Sequence, residues 1–478
     1  MRYILLLVLM LLPMGVRAQQ SIFASTACSK SLSDIYSCAF KTFEFDVQHV
    51  EDPALKVYLR EYASLMKYTI ANNEANYELY LKASDNAMDA VEDHPYENTL
   101  MCNLQLHRCL VEMSKGNLWT GGVQFWRAYQ SYKDGEDEHH SYDGQLKLRG
   151  IFNILLSQIP DKWRRIAGFL GFGTGDLEVG LRQIETYRKA VAHVPGVNDE
   201  SLLLSFANIF LSHEQRIDTH LSEAMKRSNS PVVAYTYLLS MGRKQRGEEA
   251  DSFIATIFDD MYSKFPLLMH QRAKFALRRL DFDAAKRYAD RFFETYEGVS
   301  CKGDALLIKA YAHKIEGNET AANQLAQKCI AYLGESDVDK RILADAQRVS
   351  TDDVVLLKSR MLFEYGLYDE AKKILVGYTP QSQHAIEYQF RLARTEERLG
   401  NMAAALAHYD RVIAMSANDT RYFGPYAAVY AADIKIAAKN KDSALQYLNA
   451  ARNLNNGEFS KELEQRITLG MRVIEKMK

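Results

Sequence analysis

The segment LARTEERLGNMAAALAHYDRVIAMS, residues 392–416, decides how this chain is read. It sets a small residue at Ala393, a glycine at Gly400, a second small residue at Ala405 and an apolar residue at Val412, in steps of seven, five and seven. The same steps recur at Ala273, Leu280, Ala285 and Phe292, and at Ala310, Gly317, Ala322 and Cys329. They return at Ser359, Gly366, Ala371 and Tyr378, and at Ala432, Lys439, Ala444 and Ala451. An isolated earlier copy is Cys109, Gly116, Gly121 and Ala128. Small residues two turns before and one turn after a tight break let two helices approach closely, and glycine is the residue that ends a helix in the left-handed region. The spacing therefore predicts antiparallel helical hairpins, with the fourth position packing against the next hairpin.

These segments resemble the tetratricopeptide repeat, and the turn sequences RLDFDAAKRY, IEGNETAANQ, EYGLYDEAKK and RLGNMAAALA agree with it. The implied fold is all-α, a solenoid of helical hairpins in which each unit covers its neighbour's apolar face. The offset between the units at Ala310 and Ser359 is longer than the others and contains ESDVDKRILADAQRVS, expected to add a helical turn. After the last unit, KELEQRITLGMRVIEKM reads as one more helix. Ser460 is its expected N-cap, and Leu463, Ile467, Met471 and Ile474 form an apolar stripe that would close the end of the stack.

The composition is compatible with this. With 47% apolar residues among 478, the chain can bury extensive cores, which excludes wholesale disorder. Its 59 basic and 61 acidic residues lack the positive excess that binding a phosphate backbone rewards, so nucleic acid is not an expected partner. Residues 1–18 read as an export signal: Arg2, the apolar run Ile4 to Leu12, and the small-x-small site Val16-Arg17-Ala18. Cleavage after Ala18 is expected, with a periplasmic or extracellular destination and no membrane-spanning segment afterwards. All six cysteines follow the signal, where pairing is chemically permitted. Cys102 and Cys109 are seven apart on one expected helix, beyond disulfide reach, and read as buried thiols. A bridge is expected between Cys301 and Cys329, at the two ends of one hairpin, and another is open to Cys28 with Cys38.

Residues 149–190, RGIFNILLSQIPDKWRRIAGFLGFGTGDLEVGLRQIETYRKA, read as three helices. The first ends near Pro160, the second carries Trp163, Ile166 and Leu170, and the turn Gly171, Gly173, Gly175 leads to Asp176 as cap of the third. The positions Leu155, Leu156, Pro160, Gly171, Phe172, Gly173, Gly175, Asp176, Gly180 and Leu181 resemble the family containing the inclusion-body clearance protein and the tetratricopeptide repeat protein thirty-nine group. That resemblance implies an all-helical fold and a role without catalysis; the relatives are intracellular, whereas this chain begins with an export signal. The expected organisation is a signal peptide over 1–18, an N-terminal helical region over 19–148, the glycine-turn segment over 149–195 and the repeats with their capping helix over 196–478.

No constellation points to chemistry. GFGTGD lacks the Gly-Lys-Ser/Thr of a phosphate loop and carries Asp176 where a dinucleotide loop needs glycine. DGEDEHH, residues 134–140, reads as a solvated loop rather than a metal site, and His213-Glu214 lacks the second histidine of a zinc protease. No cofactor, metal or catalytic residue is expected. In a tetratricopeptide stack the first helices line a concave groove that takes partner peptides. That register assigns His270, Lys274, Tyr311, Lys314, Arg360, Phe363, Arg394, Glu397, Arg398, Tyr426 and Asp433 to the groove, with Val429 beside them. Their mixed basic and aromatic character suits an extended protein or peptide bearing carboxylates. The alternative is an apolar small molecule or lipid enclosed by the N-terminal helices, which the 28 tyrosines and 21 phenylalanines would permit.

Overall fold

In the computed structural model, the residues described are 23, 25–139, 143–159, 161–191, 202–204, 221, 224–225, 230–334, 337–455 and 457–477. The export signal, Pro160, His140 and the His213-Glu214 pair lie outside them. Among the described residues there is no strand. The described residues form two compact units, interleaved in sequence. One comprises Met1–Lys244, Phe253–Gln271 and Asp290–Lys302, and the other Gln245–Ser252, Arg272–Ala289 and Gly303–Lys478. The glycine-turn segment therefore continues the first unit and does not stand apart.

The first unit begins with α1 (Thr26–Tyr36), α2 (Phe40–Asp46), α3 (Pro53–Ile70), α4 (Glu74–Ala90), α5 (Glu97–Lys115) and α6 (Leu118–His139). Side-chain caps fix the helix starts: Asp52 accepts from the Leu55 amide at 3.0 Å ahead of α3, and Asn73 from the Asn76 amide at 2.9 Å ahead of α4. The isolated early repeat is a true hairpin. Gly116 ends α5 with φ 91°, and Cys109, Gly121 and Ala128 are buried where α5 and α6 pack. The expected glycine-turn helices follow as α7 (Asp143–Ser157), α8 (Asp161–Phe169) and α9 (Leu177–Val191). Asp176 caps α9 as expected, accepting from the Val179 amide at 2.8 Å. Helices α7 and α9 cross so closely that a Cβ on Gly180 would stand 2.7 Å from the Gly150 carbonyl oxygen, which accounts for the glycine of the Gly180-Leu181 pair. Between α3 and α5 the His107 Nδ1–H donates to the Glu61 carboxylate at 2.9 Å, both side chains being wholly buried.

The remaining helices carry the repeats: α10 (Pro231–Lys244), α11 (Gly247–Ile254), α12 (Asp259–Lys264), α13 (Leu267–Arg278), α14 (Phe282–Thr295), α15 (Lys302–Ile315) and α16 (Glu319–Ile330). Then come α17 (Asp337–Arg348), α18 (Val354–Tyr365), α19 (Tyr368–Val376), α20 (Ala385–Arg398), α21 (Met402–Met415), α22 (Phe423–Ala437), α23 (Lys441–Asn453) and α24 (Ser460–Lys476). The register holds at the backbone. Leu280, Gly317, Gly366, Gly400 and Lys439, the five turn positions, have φ of 67°, 86°, 109°, 84° and 57°. All five small residues at the first position and all five alanines at the third are buried. Within the second unit α18 to α24 pack in chain order, and α18, α20, α22 and α24 also stack on one another, the pattern of tetratricopeptide hairpins. The core of α20 to α24 is rich in alanine, among them Ala393, Ala405, Ala432, Ala444 and Ala451, and Leu463 and Ile467 of α24 close it.

Tyr378 lies past the end of α19 at Val376, yet as the fourth position it packs on Leu356, Leu375 and Leu392, with its ring 6.3 Å from that of Tyr388 on the next helix. Three expectations need correction. Ser460 is the first helical residue of α24, and Phe459, with φ 61°, stands at the cap without a side-chain bond. The long offset holds not a turn but the whole helix α17, which packs on α16. Cys329 is a buried free thiol, and the bridge to Cys301 is not made; Cys28 and Cys38 are likewise buried thiols, burial pushing both upward. A further hairpin turn escaped the sequence reading. Gln245 between α10 and α11 has φ 58°, with Leu238 seven residues before it and Ala250 five after, both buried. Leucine in the first position and glutamine in the second hid it.

Candidate functional site

The first helices of the second unit carry a continuous array of arginines, carboxylates and aromatic rings. Its centre is a narrow cleft lined by Arg348, Asp352, Asp353, Leu357, Arg360, Glu387, Arg391, Tyr422 and Phe423, with about 10 Å³ of room, enough for one water-sized group. Five segments meet there. Helix α17 ends at Arg348, the following loop brings Asp352 and Asp353, α18 and α20 bring Arg360 and Arg391, and α22 opens with Phe423 behind Tyr422 at its cap.

Each arginine is held by carboxylates. Arg348 donates to Asp345 at 2.8 Å and to Glu458 at 2.6 Å. Arg360 donates to Asp345 and to Glu364, each at 2.9 Å, and Arg391 to Glu387 at 2.7 Å. Burial alone would raise Asp345, but Arg360 and Arg348 on either side overcome it and hold the carboxyl below its ordinary range. Asp352 is different. Burial and the neighbouring Glu387 push it up to about 7 against the pull of Arg360 and Arg348. Asp353 is committed to structure, capping α18 through the Val355 and Leu356 amides and accepting from the Tyr378 hydroxyl. The three guanidiniums share the cleft with the carboxyls of Asp352, Asp353 and Glu387, and Asp345, Glu364 and Glu458 pair with Arg348 and Arg360 from behind it.

Next to the cleft, arginine and tyrosine alternate. The Arg394 guanidinium lies 3.7 Å from the Tyr430 ring centroid and donates to Glu397 at 2.6 Å, while the Tyr409 hydroxyl donates to the same carboxylate. Arg466 of α24 lies 5.0 Å from the Tyr430 centroid on another approach. Burial would raise the Tyr430 hydroxyl, but Arg394 and Arg466 bring it below the ordinary tyrosine range. Cation–π pairs of this kind strengthen as water is excluded.

Of the groove residues expected from sequence, the structure brings together Tyr311, Arg360, Phe363, Arg394, Glu397 and Tyr426. Arg360 reaches the Tyr311 hydroxyl at 3.4 Å, Arg394 lies 5.5 Å from the Phe363 ring, and Arg466 lies 5.7 Å from the Tyr426 ring. Arg398 is half-buried on the same helix, with no acceptor for its Nε. The others are placed differently. Lys314 is buried and tied to Glu319 at 2.8 Å and the Ser350 carbonyl at 3.1 Å, and Lys274 is paired with Asp304 at 2.8 Å. His270 is buried in the first unit, 5.3 Å from the Phe292 ring, while Asp433 is exposed and Val429 is in the core. Most of these side chains thus hold hairpins together as well as lining a face. Arg348, Asp352, Glu387, Arg391 and Tyr422 were not anticipated. Arg391 was legible, three residues before Arg394 on one helix face, whereas Arg348 lies on the inserted helix that the repeat spacing does not describe.

Among the described residues no group of three or more histidine, cysteine, aspartate or glutamate side chains is arranged to hold a metal ion. The glycine turn at 171–173 is a packing device, its Phe172 ring 5.0 Å from that of Tyr129. No protein-family model matches the chain. Among solved structures, the chain is similar to the human IFIT1 dimer with PPP-AAAA, at 12% identity and a TM-score of 0.33, covering 94% of each chain. The human IFIT1 dimer with m7Gppp-AAAA gives 13% identity and a TM-score of 0.34 over 98% of each. The monomeric IFIT1 mutant with Gppp-AAAA gives 12% and 0.30 over 94% of this chain and 95% of that one. Superpositions this loose carry no argument about a partner.

Proposed function

We propose that this protein is an exported, non-catalytic scaffold whose second unit binds a protein or peptide partner through a carboxylate of that partner. The observation that carries this reading is the cleft of Arg348, Arg360 and Arg391, walled by Tyr422 and Phe423. Arginine offers paired donors that match a carboxylate, and the aromatic walls pack against the peptide carrying it. Export rests on the leader pattern of residues 1–18, and kinship with the inclusion-body clearance family on the glycine-turn motif. The charged lining favours this reading over an enclosed apolar molecule.

The experiment is a native capture by the chain from residue 19 onward, repeated with Arg391→Gln and with Arg348→Gln. Loss of the captured partner in either variant, with helicity retained, supports the assignment. Undiminished capture by both variants would place the partner elsewhere. Because Arg394 is embedded between Tyr430 and Glu397, reversing its charge would report on folding rather than on binding.

A further inference from the structure

The first unit carries an exposed apolar face that the peptide-binding reading does not use. The three tryptophans of the chain are Trp119, Trp126 and Trp163. Trp119 and Trp126 are two turns apart on α6 and share its outer face, 85% and 42% exposed. Ile166 and Phe169 of α8 and Leu170 just after it are also exposed, Phe169 at 91%. The turn that follows α8 is tied to α6. Gly171 adopts φ 86°, and Phe172 folds back to 5.5 Å from the Phe125 ring. The Gly173 amide donates to the Tyr129 hydroxyl at 2.9 Å, and Trp126 Nε1 donates to the Leu170 carbonyl at 3.2 Å.

Bases outnumber acids in the two segments that carry this face. Residues 118–133 contain Arg127 and Lys133 and no acid, and residues 161–170 contain Lys162, Arg164 and Arg165 against Asp161, in a chain of net charge -2. Arg127, Arg164 and Arg165 are exposed, as are Asp176 and Glu178 beyond the glycine turn. The acids of α6 begin at Asp134, about 12 Å along the helix from Trp126, and are confined to its last six residues. Tryptophan and phenylalanine projecting from a basic rim are the complement of an anionic headgroup layer, where an indole places its ring among the acyl chains and its N–H at the polar boundary. Helix α8 is nine residues long, and no helix among the described residues is long and apolar enough to cross a membrane, so the contact lies on the bilayer rather than through it.

We propose that this face docks the protein on an anionic lipid bilayer, with Trp119, Trp126 and Phe169 entering the headgroup boundary and Arg127, Arg164 and Arg165 meeting lipid phosphates. The site is separate from the carboxylate cleft, and neither proposal depends on the other.

The test is flotation of the chain from residue 19 onward with vesicles of phosphatidylcholine, with and without phosphatidylglycerol. Binding to the anionic vesicles should be on the order of a hundredfold stronger at low salt, from about fivefold for each of three engaged arginines. It should be accompanied by a blue shift of tryptophan emission. Trp119→Ala with Phe169→Ala should lower that binding at least about tenfold. Arg127→Gln with Arg165→Gln should abolish the dependence on phosphatidylglycerol. All four side chains are exposed, so unchanged helicity by circular dichroism is expected and separates binding from folding. Equal binding with and without phosphatidylglycerol overturns the proposal. So does full retention by the Trp119→Ala, Phe169→Ala variant, or a self-association or protein complex that uses this face while vesicles do not bind.

Discussion

Gly366, Gly400 and Lys439 occupy the same position of successive hairpins, all with positive φ, yet the structure assigns them different substitution energies. A Cβ on Gly400, at φ 84°, meets nothing within 4 Å. Gly400→Ala therefore pays only the left-handed penalty, about 1–2 kcal/mol, reduced by a few tenths because the unfolded chain loses glycine's freedom. At Gly366, φ is 109° and a Cβ would stand 2.1 Å from the Gln245 carbonyl oxygen, a backbone atom that cannot rotate away. Gly366→Ala adds a steric displacement of about 1–3 kcal/mol to the conformational term. Lys439→Gly runs the other way, relieving strain at φ 57° and gaining roughly 0.5–1 kcal/mol. Hydrogen exchange of peptides from α18 to α23 reads each hairpin locally, which suits a repeat array that need not unfold in one step. Since about 1.4 kcal/mol is tenfold in an opening equilibrium, Gly400→Ala should speed exchange of its helices about fivefold and Gly366→Ala by well over tenfold, while Lys439→Gly slows it. Equal effects at Gly366 and Gly400, or faster exchange in Lys439→Gly, would show that the turn geometry is not what stabilises these hairpins.

Three further outcomes follow from the packing and charge. Asp352, raised to about 7 from an ordinary 3.8, contributes stability that is full below pH 4 and is lost as pH rises through 7. Asp352→Asn should therefore be the more stable protein at pH 8, by on the order of 1–3 kcal/mol, with the gap narrowing below pH 7 and closing toward pH 4 in urea titrations; a gap independent of pH refutes the shift. His107→Ala strips the wholly buried Glu61 carboxylate of its donor, and a loss of about 3–5 kcal/mol is expected in urea melts, with Glu61→Gln in the same background recovering part of it. Gly180→Val should cost more than Gly180→Ala in thermal melts, because any side chain there meets the Gly150 carbonyl and Ile154; equal melting temperatures would mean that α7 and α9 are less closely packed than described.

The hairpins were legible because their determinants are local. Gly400 and Ala393 act through one backbone turn and one helix crossing, so a fixed spacing reports them. The Gln245 turn escaped because Leu238 and Gln245 fill the first two positions with residues that the pattern does not mark, although the left-handed backbone is the same. Tyr378 keeps its expected contact although α19 ends two residues before it, because helix length is set by where packing stops rather than by the repeat step. At the site, Arg360 and Arg394 were found from the register, but whether they were open to a partner or paired was not. Lys314 shows the difficulty: its expected place on the groove is correct in register, but a glutamate five residues on and a carbonyl from the next loop take all its reach.

By itself the sequence determined the helical class, the hairpin turns, the closing helix and the absence of a familiar catalytic motif, since these follow from residue periodicity and backbone preference over a few turns. Tertiary structure alone decided which charges meet. The Arg348 to Glu458 pair spans 110 residues, and the cleft exists only because an inserted helix brings Arg348 against α18 and α20. It likewise decided that Trp119, Trp126 and Phe169 are exposed and that the segment after α8 is tied to α6 through the Trp126 to Leu170 bond. Coulombic pairing and exposure arise from where separate helices come to rest, and no spacing within one helix encodes them.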